Sequence, residues 1–568
     1  MPGSLTFDGA AVLAELRRAR RRQRVAEIHW VDAFYQVYIT AIAAIVAIVV
    51  VSGFVGDGKV RGKTLDHVAS RGPAFVGLAA AVALVIGLRS GGRGGPLALE
   101  APDVRHVLLS PVDRAAALRG PAFHQLRFLT FAGVATGAVA GQLALRRLPG
   151  NGAAWVACGA AFGLMVTALG YGAALTVSGR RLPSWPGTVF GGLLVAWSVA
   201  NATGHGPTAP ATFAGRLALW PLHFDAVALL PVALAAALVV AGLFGMAGVS
   251  LEAAERRTSL VGQLKFAVTL QDLRTVLVLR RQLAMELPRI HPWIGTSSRR
   301  ARGPRFPVWS RGWHGVLRWP VTRVARLLVL ATVAGLALRG VWSGTTPLLL
   351  LAGASLWVAA LDAVEPMAQE TDHPGRRDSY PIELGELMAR HLAVSVAVMV
   401  VLGAVTGAIS ALPGGGAVPA PVAAAVALSA GLAAVAGAAV SVLMGAPSQV
   451  RVDQVSMITP EFAGMRTVMR TAWPPALAVI GTLPVLVARI VSHRHKLPAS
   501  ASSGAITVLV PVLSLCVLVG GWVRFREPIH AWWRQLVESA SPTAMAEREA
   551  ARRNASVDSG EGGNAGHG

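Results

Sequence analysis

Residues 392–443 of this chain read LAVSVAVMVVLGAVTGAISALPGGGAVPAPVAAAVALSAGLAAVAGAAVSVL, and this stretch decides the fold. It contains no charged residue, and the uncharged segment continues to Val450, which is too long for one helix across about 30 Å of hydrocarbon. Pro413 and the three glycines that follow it interrupt the stretch, and such a break favours a turn. The sequence therefore predicts a hairpin of two membrane-spanning helices, 392–412 and 418–443.

Apolar blocks of similar length recur on both sides of this hairpin. Apolar residues make up 54% of the 568 residues and charged residues only 14%, whereas about a quarter of a soluble protein is charged. We therefore predict an all-α polytopic membrane protein with about 12 transmembrane helices in two six-helix halves. The remaining ten predicted spans are 34–56, 73–88, 128–145, 153–177, 187–203, 226–250, 324–342, 346–364, 472–488 and 504–523.

The seventh predicted span, 324–342, is the least apolar of the set. It is free of charge only over 327–338, and Arg323, Arg326 and Arg339 lie at its two ends. We expect these three side chains to snorkel to the membrane interfaces.

The distribution of Lys and Arg predicts the topology. An even number of spans puts both termini on one side, and that side holds the basic residues by about four to one, which indicates the cytoplasm. We expect a multi-pass protein of the cell (plasma) membrane with no cleaved signal peptide. The predicted segments are a cytoplasmic amphipathic lead-in 1–33, the first transmembrane half 34–251, a cytoplasmic linker 252–323, the second half 324–524 and a cytoplasmic tail 525–568 with a disordered end.

The net charge of +23 would suggest nucleic-acid binding in a soluble protein. Here the basic residues lie between the spans, where they set topology, so we expect no nucleic-acid partner and take the lipid bilayer as the surrounding partner. Cys158 and Cys516 each lie inside an apolar block, which favours a packing role over a disulfide or a metal site.

No catalytic signature of the common hydrolase, metal or nucleotide classes occurs in the sequence. The nearest approach to a phosphate loop is the segment from Asp57 to Thr64, which ends in Gly-Lys-Thr but lacks the first glycine and follows a membrane span. We therefore expect no catalytic residue, no metal site and no bound cofactor, and we interpret the chain as a non-enzymatic membrane protein.

Ionisable residues inside the spans are rare, and Asp225, Asp362 and Glu365 all fall at helix ends. That scarcity argues against an ion-driven carrier, since coupling to protons usually needs acids at mid-depth. Glycines four residues apart and uncharged polar residues stand out inside the spans. Candidates for a translocation path or for helix packing are Gly133, Gly137, Gly141, Gln142, Tyr171, Trp197, Asn201, Gly403 and Gly407.

The predicted cytoplasmic segment before the third span contains a helix-start pattern. Ser110 is suited to cap free amides, Pro111 to the first turn, and Asp113 to the third position of a capping box. A short helix from Pro111 to about Gly120 is the result we expect. In the second half Ser379, Pro381, Ile382 and Glu383 occupy the matching place with the spacing shifted by one residue.

A chain with an arginine-rich lead-in, six-helix halves and a short inner helix between the second and third spans resembles the ABC type-2 exporter permeases. The stretch from Arg256 to Leu264, with Asp272–Val276, Arg280–Leu283 and Pro288, is similar to fused twelve-helix permeases of this type in high-GC Gram-positive bacteria.

The resemblance implies a connecting helix over 11–32 and coupling helices over 108–118 and 379–387. It also implies a separate ATP-binding-cassette ATPase, in two copies, which binds ATP and magnesium and supplies the work of export. Long apolar helices with few charges at mid-depth fit a lipophilic substrate such as a drug, lipid or secondary metabolite. The residues that would couple to that ATPase are Leu109, Ser110, Pro111, Val112, Asp113, Arg114, Pro381, Ile382 and Glu383.

Two other functions stay open. A major-facilitator carrier also has twelve helices, but the Gly-x-x-x-Asp-Arg pattern usual after its second helix is missing after Leu88. A membrane-embedded glycosyl or lipid transferase would use acids of the first outer loop, Asp57 and Asp66, although acids in such a loop are more often ordinary loop charges.

Overall fold

The protein is described from a computed structural model. The structure describes residues 58–91, 113–250, 307–373, 381–444, 472–495 and 498–539, together with scattered positions between and before them. These residues form helices and no strand, so the protein is all-helical in the part that is described. The chain divides into two compact units, Met1–Leu279 and Arg280–Gly568. Their boundary falls inside the predicted linker 252–323.

The described part of the first unit contains six helices. They are α1 (Lys63–Gly91), α2 (Arg114–Arg147), α3 (Gly152–Gly179), α4 (Ser184–Thr203), α5 (Pro210–Ala218) and α6 (Leu229–Phe244). Short 3₁₀ turns, Ala226–Ala228 and Gly245–Gly248, flank α6. The short helix α5 was not predicted. It packs closely against α1. The backbones approach so nearly that a methyl group at Gly77 on α1 would overlap the carbonyl of Ala211 on α5.

The described part of the second unit contains ten helices, several of them short. They are α7 (Pro307–Leu317), α8 (Val321–Trp342), α9 (Leu348–Ala363), α10 (Glu365–Asp372), α11 (Leu384–Ala411), α12 (Ala420–Leu443), α13 (Ala472–Ile480), α14 (Leu483–His495), α15 (Pro498–Arg524) and α16 (Arg526–Ser539). The hairpin expected from the uncharged stretch is α11 and α12. Gly414 and Gly416 turn the chain between them with positive φ angles of 127° and 74°, which only glycine adopts easily.

Eight of the described helices are long and apolar enough to cross a membrane, and ten if two bent pairs each count as one span. The protein is therefore a multi-pass membrane protein. Three of the twelve predicted spans differ from single long apolar helices within the described chain. Residues 187–203 lie in α4, which is helical but not among the eight, and the spans 346–364 and 472–488 are bent pairs, α9 with α10 by 58° and α13 with α14 by 44°. The first predicted span, 34–56, lies almost entirely outside the described residues.

Both bends are held by a serine from a neighbouring helix. A helix break leaves carbonyls without an intrahelical partner, which is costly in a bilayer. Ser395 on α11 donates a 2.9 Å hydrogen bond to the carbonyl of Ala363, the last residue of α9. Ser429 on α12 donates a 2.7 Å hydrogen bond to the carbonyl of Gly481, between α13 and α14. Both serines are fully buried, so each bend is a fixed feature of the packing.

The arginines of the seventh span have protein partners. Arg323 has a side chain that is 11% exposed and forms an ion pair with Glu365. Arg326 pairs with Asp362. Arg339 donates hydrogen bonds to backbone carbonyls at the end of α11 and in the α11–α12 turn. Because these cations have protein partners, α8 extends over Val321–Trp342, beyond its charge-free centre.

Candidate functional site

The first predicted coupling segment leads directly into a long helix. Asp113 caps α2, and its carboxylate accepts hydrogen bonds from the amides of Ala115 and Ala116 at 3.3 and 3.0 Å. The expected short helix ending near Gly120 is therefore wrong, since α2 continues without interruption to Arg147. Asp113 is the cap itself and not the third helical position. Leu109, Ser110, Pro111 and Val112 lie outside the described residues.

The segment that precedes Asp113 is anchored in the core of the first unit. Leu97, Leu99, Val104 and Leu108 are buried together with side chains from α2, α3 and the end of α6. Tyr171 on α3 belongs to the same cluster, and its hydroxyl donates a 3.0 Å hydrogen bond to the carbonyl of Ala122 on α2. The beginning of α2 is consequently packed together with these four described residues that precede it.

The second predicted coupling segment has the same relationship to α11. Pro381 is exposed, Ile382 is half-buried, and Glu383 occupies the cap position of α11. Glu383 makes no side-chain capping hydrogen bond. Its Oε2 instead accepts a 2.8 Å hydrogen bond from Arg524, the last residue of α15.

The backbones of α11 and α15 also meet at this point. A methyl group at Gly385 would overlap the carbonyl of Arg524, so the two helix ends are in direct contact. Glu386 lies 3.5 Å from the same guanidinium and also pairs with Arg390 on its own helix. The beginning of α11 is therefore fixed to the end of the last apolar span.

The acidic residue at the cap position and the glycines that follow it have the same sequence spacing in the two units. Gly133 and Gly137 follow Asp113 by the same numbers of residues as Gly403 and Gly407 follow Glu383. The glycines perform the same task in both places. A methyl group would overlap the Gly159 carbonyl if placed at Gly137 on α2, and the Ala427 carbonyl if placed at Gly403 on α11. Close antiparallel packing with the next helix is thus a property of both units.

Most of the other candidates for a path also have packing roles. Gly141 on α2 meets the backbone of Trp155 in the same way. Asn201 on α4 donates a 3.2 Å hydrogen bond to Thr212 on α5. Trp197 donates a 3.0 Å hydrogen bond to the carbonyl of Pro207. Gln142 is half-buried on α2. These contacts favour the packing interpretation over a translocation path.

A charged cluster in the second unit was not predicted as a site. Arg323 and Arg326 lie one helical turn apart on α8, and they pair with Glu365 and Asp362, which are three residues apart across the bend between α9 and α10. Arg323 also donates a 2.6 Å hydrogen bond to the carbonyl of Asp362 and lies 4.2 Å from the ring centre of Trp319. The matched three-residue spacing of bases and acids was the signal in the sequence.

A second part of this cluster surrounds Glu370 on α10. Glu370 is 1% exposed, and its Oε1 lies 3.2 Å from Arg311 on the amphipathic helix α7. The same oxygen lies 3.8 Å from Nε2 of His391 on α11, which is also buried. The local sequence does not distinguish Glu370 from an ordinary loop acid, because its partners Arg311 and His391 are distant in the sequence.

The remaining acidic candidates are not assembled into a site. Asp66 lies exposed in the first turn of α1, and Asp57 is outside the described residues. Asp225 caps the turn before α6 and pairs with Arg216; the Val227 amide and that guanidinium hold the pKa of Asp225 below its ordinary value. In the described part of the chain, no group of three or more His, Cys, Asp or Glu side chains is arranged to hold a metal ion.

Comparison with known proteins gives no relative. No protein-family model, no curated protein and no solved structure matches this chain.

Proposed function

We propose that this chain is the transmembrane permease subunit of an ATP-binding-cassette exporter. In this account a separate ATPase, present in two copies, binds ATP and magnesium and docks on the segments that precede α2 and α11. The cargo is lipophilic and leaves the cell across the plasma membrane, and both termini of the chain are cytoplasmic.

One observation carries the proposal. The two predicted docking segments each lead, through an acidic cap residue, into a helix that runs unbroken through an apolar span, 34 residues long for α2 and 28 for α11. A push on Asp113 or Glu383 would tilt a whole span, because a continuous helix transmits force along its axis. Packed interfaces of the kind that the glycines form switch between discrete arrangements, which suits alternating access.

The distribution of charge supports a lipophilic cargo. Asp362 and Glu365 are neutralised by arginines at the bend between α9 and α10. The other buried polar side chains of the described spans include Ser395, Thr406 and Ser429, and each of them donates a hydrogen bond to a backbone carbonyl. These groups therefore already bond to protein partners. A hydrophilic cargo would need additional polar side chains that are free to bind it.

The test is ATP-driven transport by the purified complex. The tagged chain is isolated from its native membrane in mild detergent and reconstituted into vesicles, and uptake of a lipophilic fluorescent dye into inside-out vesicles is followed. We expect an ATP-binding-cassette protein to accompany the chain and uptake to require hydrolysable ATP. The proposal fails if no such ATPase accompanies the chain and Asp113→Ala leaves efflux from cells unchanged.

The second candidate is an ion-driven carrier of the major-facilitator type. The pair of Glu370 and His391 favours it, because two buried titratable groups 3.8 Å apart are a common arrangement for proton coupling. Dye uptake driven by a proton gradient without ATP, and lost in Glu370→Gln, would support this candidate against the exporter.

A further inference from the structure

The last described helix, α16, begins where the last apolar span ends. Only Phe525 separates Arg524, the final residue of α15, from Arg526, the first residue of α16. Backbone hydrogen bonds continue through this join, from the Phe525 amide to Gly521 and from the Ile529 amide to Phe525, at 2.8 and 3.0 Å. Since α15 crosses the bilayer, α16 starts at the depth of the membrane surface.

One side of α16 is an exposed apolar stripe. Phe525, Ile529, Trp532 and Trp533 stand at the i, i+4, i+7 and i+8 positions, which place them on one face of a helix. The two tryptophans are each 57% exposed and Ile529 is 42% exposed. The rings of Trp532 and Trp533 are neighbours, with centroids 6.2 Å apart. The stripe therefore faces away from the rest of the described second unit.

The polar side of α16 begins with a cation beside the stripe. Glu527 and His530 are exposed on the opposite face. The Arg526 guanidinium lies at the edge of the stripe, 5.5 Å from the ring centre of Trp522, and Arg524 lies 5.4 Å from that of Phe525. Aromatic rings with flanking arginines are the composition of helices that lie in the plane of a membrane surface, where the rings sit at headgroup depth.

We infer that α16 is an interfacial helix that binds the bilayer itself, with the stripe in the boundary between headgroups and acyl chains and Arg526 on the phosphates of anionic lipids. The stripe faces lipid because α16 follows directly on α15 and therefore starts at the membrane boundary that α15 reaches. A helix in this position meets lipid before any soluble protein. This inference is independent of the exporter proposal.

The anchor has a mechanical consequence within the second unit. Arg524 joins α15 to Glu383 and Glu386 at the beginning of α11. A surface helix held by lipid immediately after Arg524 would keep that junction at a constant depth. The beginning of α11 would therefore also stay at a constant depth relative to the membrane surface.

The test measures the depth of two neighbouring positions in the full chain. In a background with Cys158→Ala and Cys516→Ala, Ile529→Cys on the stripe and Glu527→Cys on the polar face are each labelled with an environment-sensitive fluorophore. The labelled chains are reconstituted in phosphatidylcholine vesicles with and without phosphatidylglycerol. We expect a lipid-borne spin label near the headgroups to quench the Ile529 probe severalfold more than the Glu527 probe, and aqueous iodide to show the opposite preference.

Two further variants separate the apolar and ionic contributions. Phosphatidylglycerol should increase lipid quenching at position 529, and Arg526→Gln should remove that increase. Trp532→Ser with Trp533→Ser should expose position 529 to iodide. Equal quenching of both probes by the lipid label, or full iodide access at position 529 in vesicles, would overturn the inference. Protection at 529 that appears only when a second protein is added would also overturn it, since the stripe would then be a protein-docking surface.

Discussion

Arg524, the last residue of α15, donates a 2.8 Å hydrogen bond to Glu383, the residue at the cap position of α11. The final apolar span and the predicted second docking segment are therefore joined by an ion pair as well as by backbone contact at Gly385. Any force on Glu383 is delivered to two helices at once. In the first unit, Asp113 stands at the corresponding position but is bonded to the amides of its own helix.

The first prediction concerns coupling. Asp113→Ala and Glu383→Ala should each lower ATP-driven dye transport severalfold while the partner's ATP hydrolysis persists. Asp113→Ala should also lose about 1 kcal/mol of cap stability, whereas Asp113→Asn should keep it. Asp66→Ala is the matched control, an exposed acid at the start of α1, and should leave transport unchanged. Loss of a lipid-linked product in Asp66→Asn would instead favour the transferase.

The second prediction concerns the buried cluster. Glu370→Gln removes the charge of a carboxylate that is 1% exposed and breaks its ion pair with Arg311, so it should cost about 2 kcal/mol of stability. Glu386→Gln changes a carboxylate that is 34% exposed and should cost less than about 1 kcal/mol. Thermal unfolding in detergent compares the two variants. A larger loss in Glu386→Gln would contradict this ranking.

The third prediction concerns the glycine contacts. Gly137→Ala places a methyl group on the Gly159 carbonyl and should destabilise the protein by about 1–3 kcal/mol. Gly192→Ala on α4 is the control, because nothing lies within 4 Å of the added methyl group. Since alanine favours helix over glycine, this control should be neutral or slightly stabilising. Equal melting temperatures for the two variants would show that α2 and α3 are not closely packed.

The fourth prediction concerns the bend between α13 and α14. Ser429→Ala leaves the buried Gly481 carbonyl without the serine hydroxyl and should cost about 1 kcal/mol. Ser441→Ala on the same helix is the control. The Ser441 hydroxyl bonds to the Gly437 carbonyl one turn earlier, and that carbonyl belongs to a regular helix. Its loss should change the melting temperature little, and a greater effect than in Ser429→Ala would refute the bridging role.

The sequence predicts the membrane helices well where charge is absent. The uncharged stretch with its Pro-Gly break led to 392–412 and 418–443, and the structure has Leu384–Ala411 and Ala420–Leu443. The extra turns at the beginning of α11 contain Glu386 and Arg390, which hydropathy alone assigns to a loop. Their mutual ion pair makes those turns compatible with a helix.

Sequence reasoning missed the bends and the charged cluster for a physical reason. Hydropathy is continuous across 346–364, and the bend follows Val364, where Pro366 was the available local signal. Arg323 and Glu365 lie more than forty residues apart, and only the packing of α8 on α9 brings them together. Twelve spans and two six-helix halves stay a prediction, as do the docking roles of the segments before α2 and α11.

The most direct test of the central claim is cross-linking between this chain and an ATPase. In the cysteine-free background, Arg114→Cys and Pro381→Cys carry a photo-activated cross-linker at the beginnings of α2 and α11. Gly415→Cys carries it in the exposed turn at the other end of α11. The account predicts covalent capture of a nucleotide-binding subunit from positions 114 and 381 and none from 415. Capture from 415 alone, or uphill transport by the chain reconstituted without any ATPase, would contradict it.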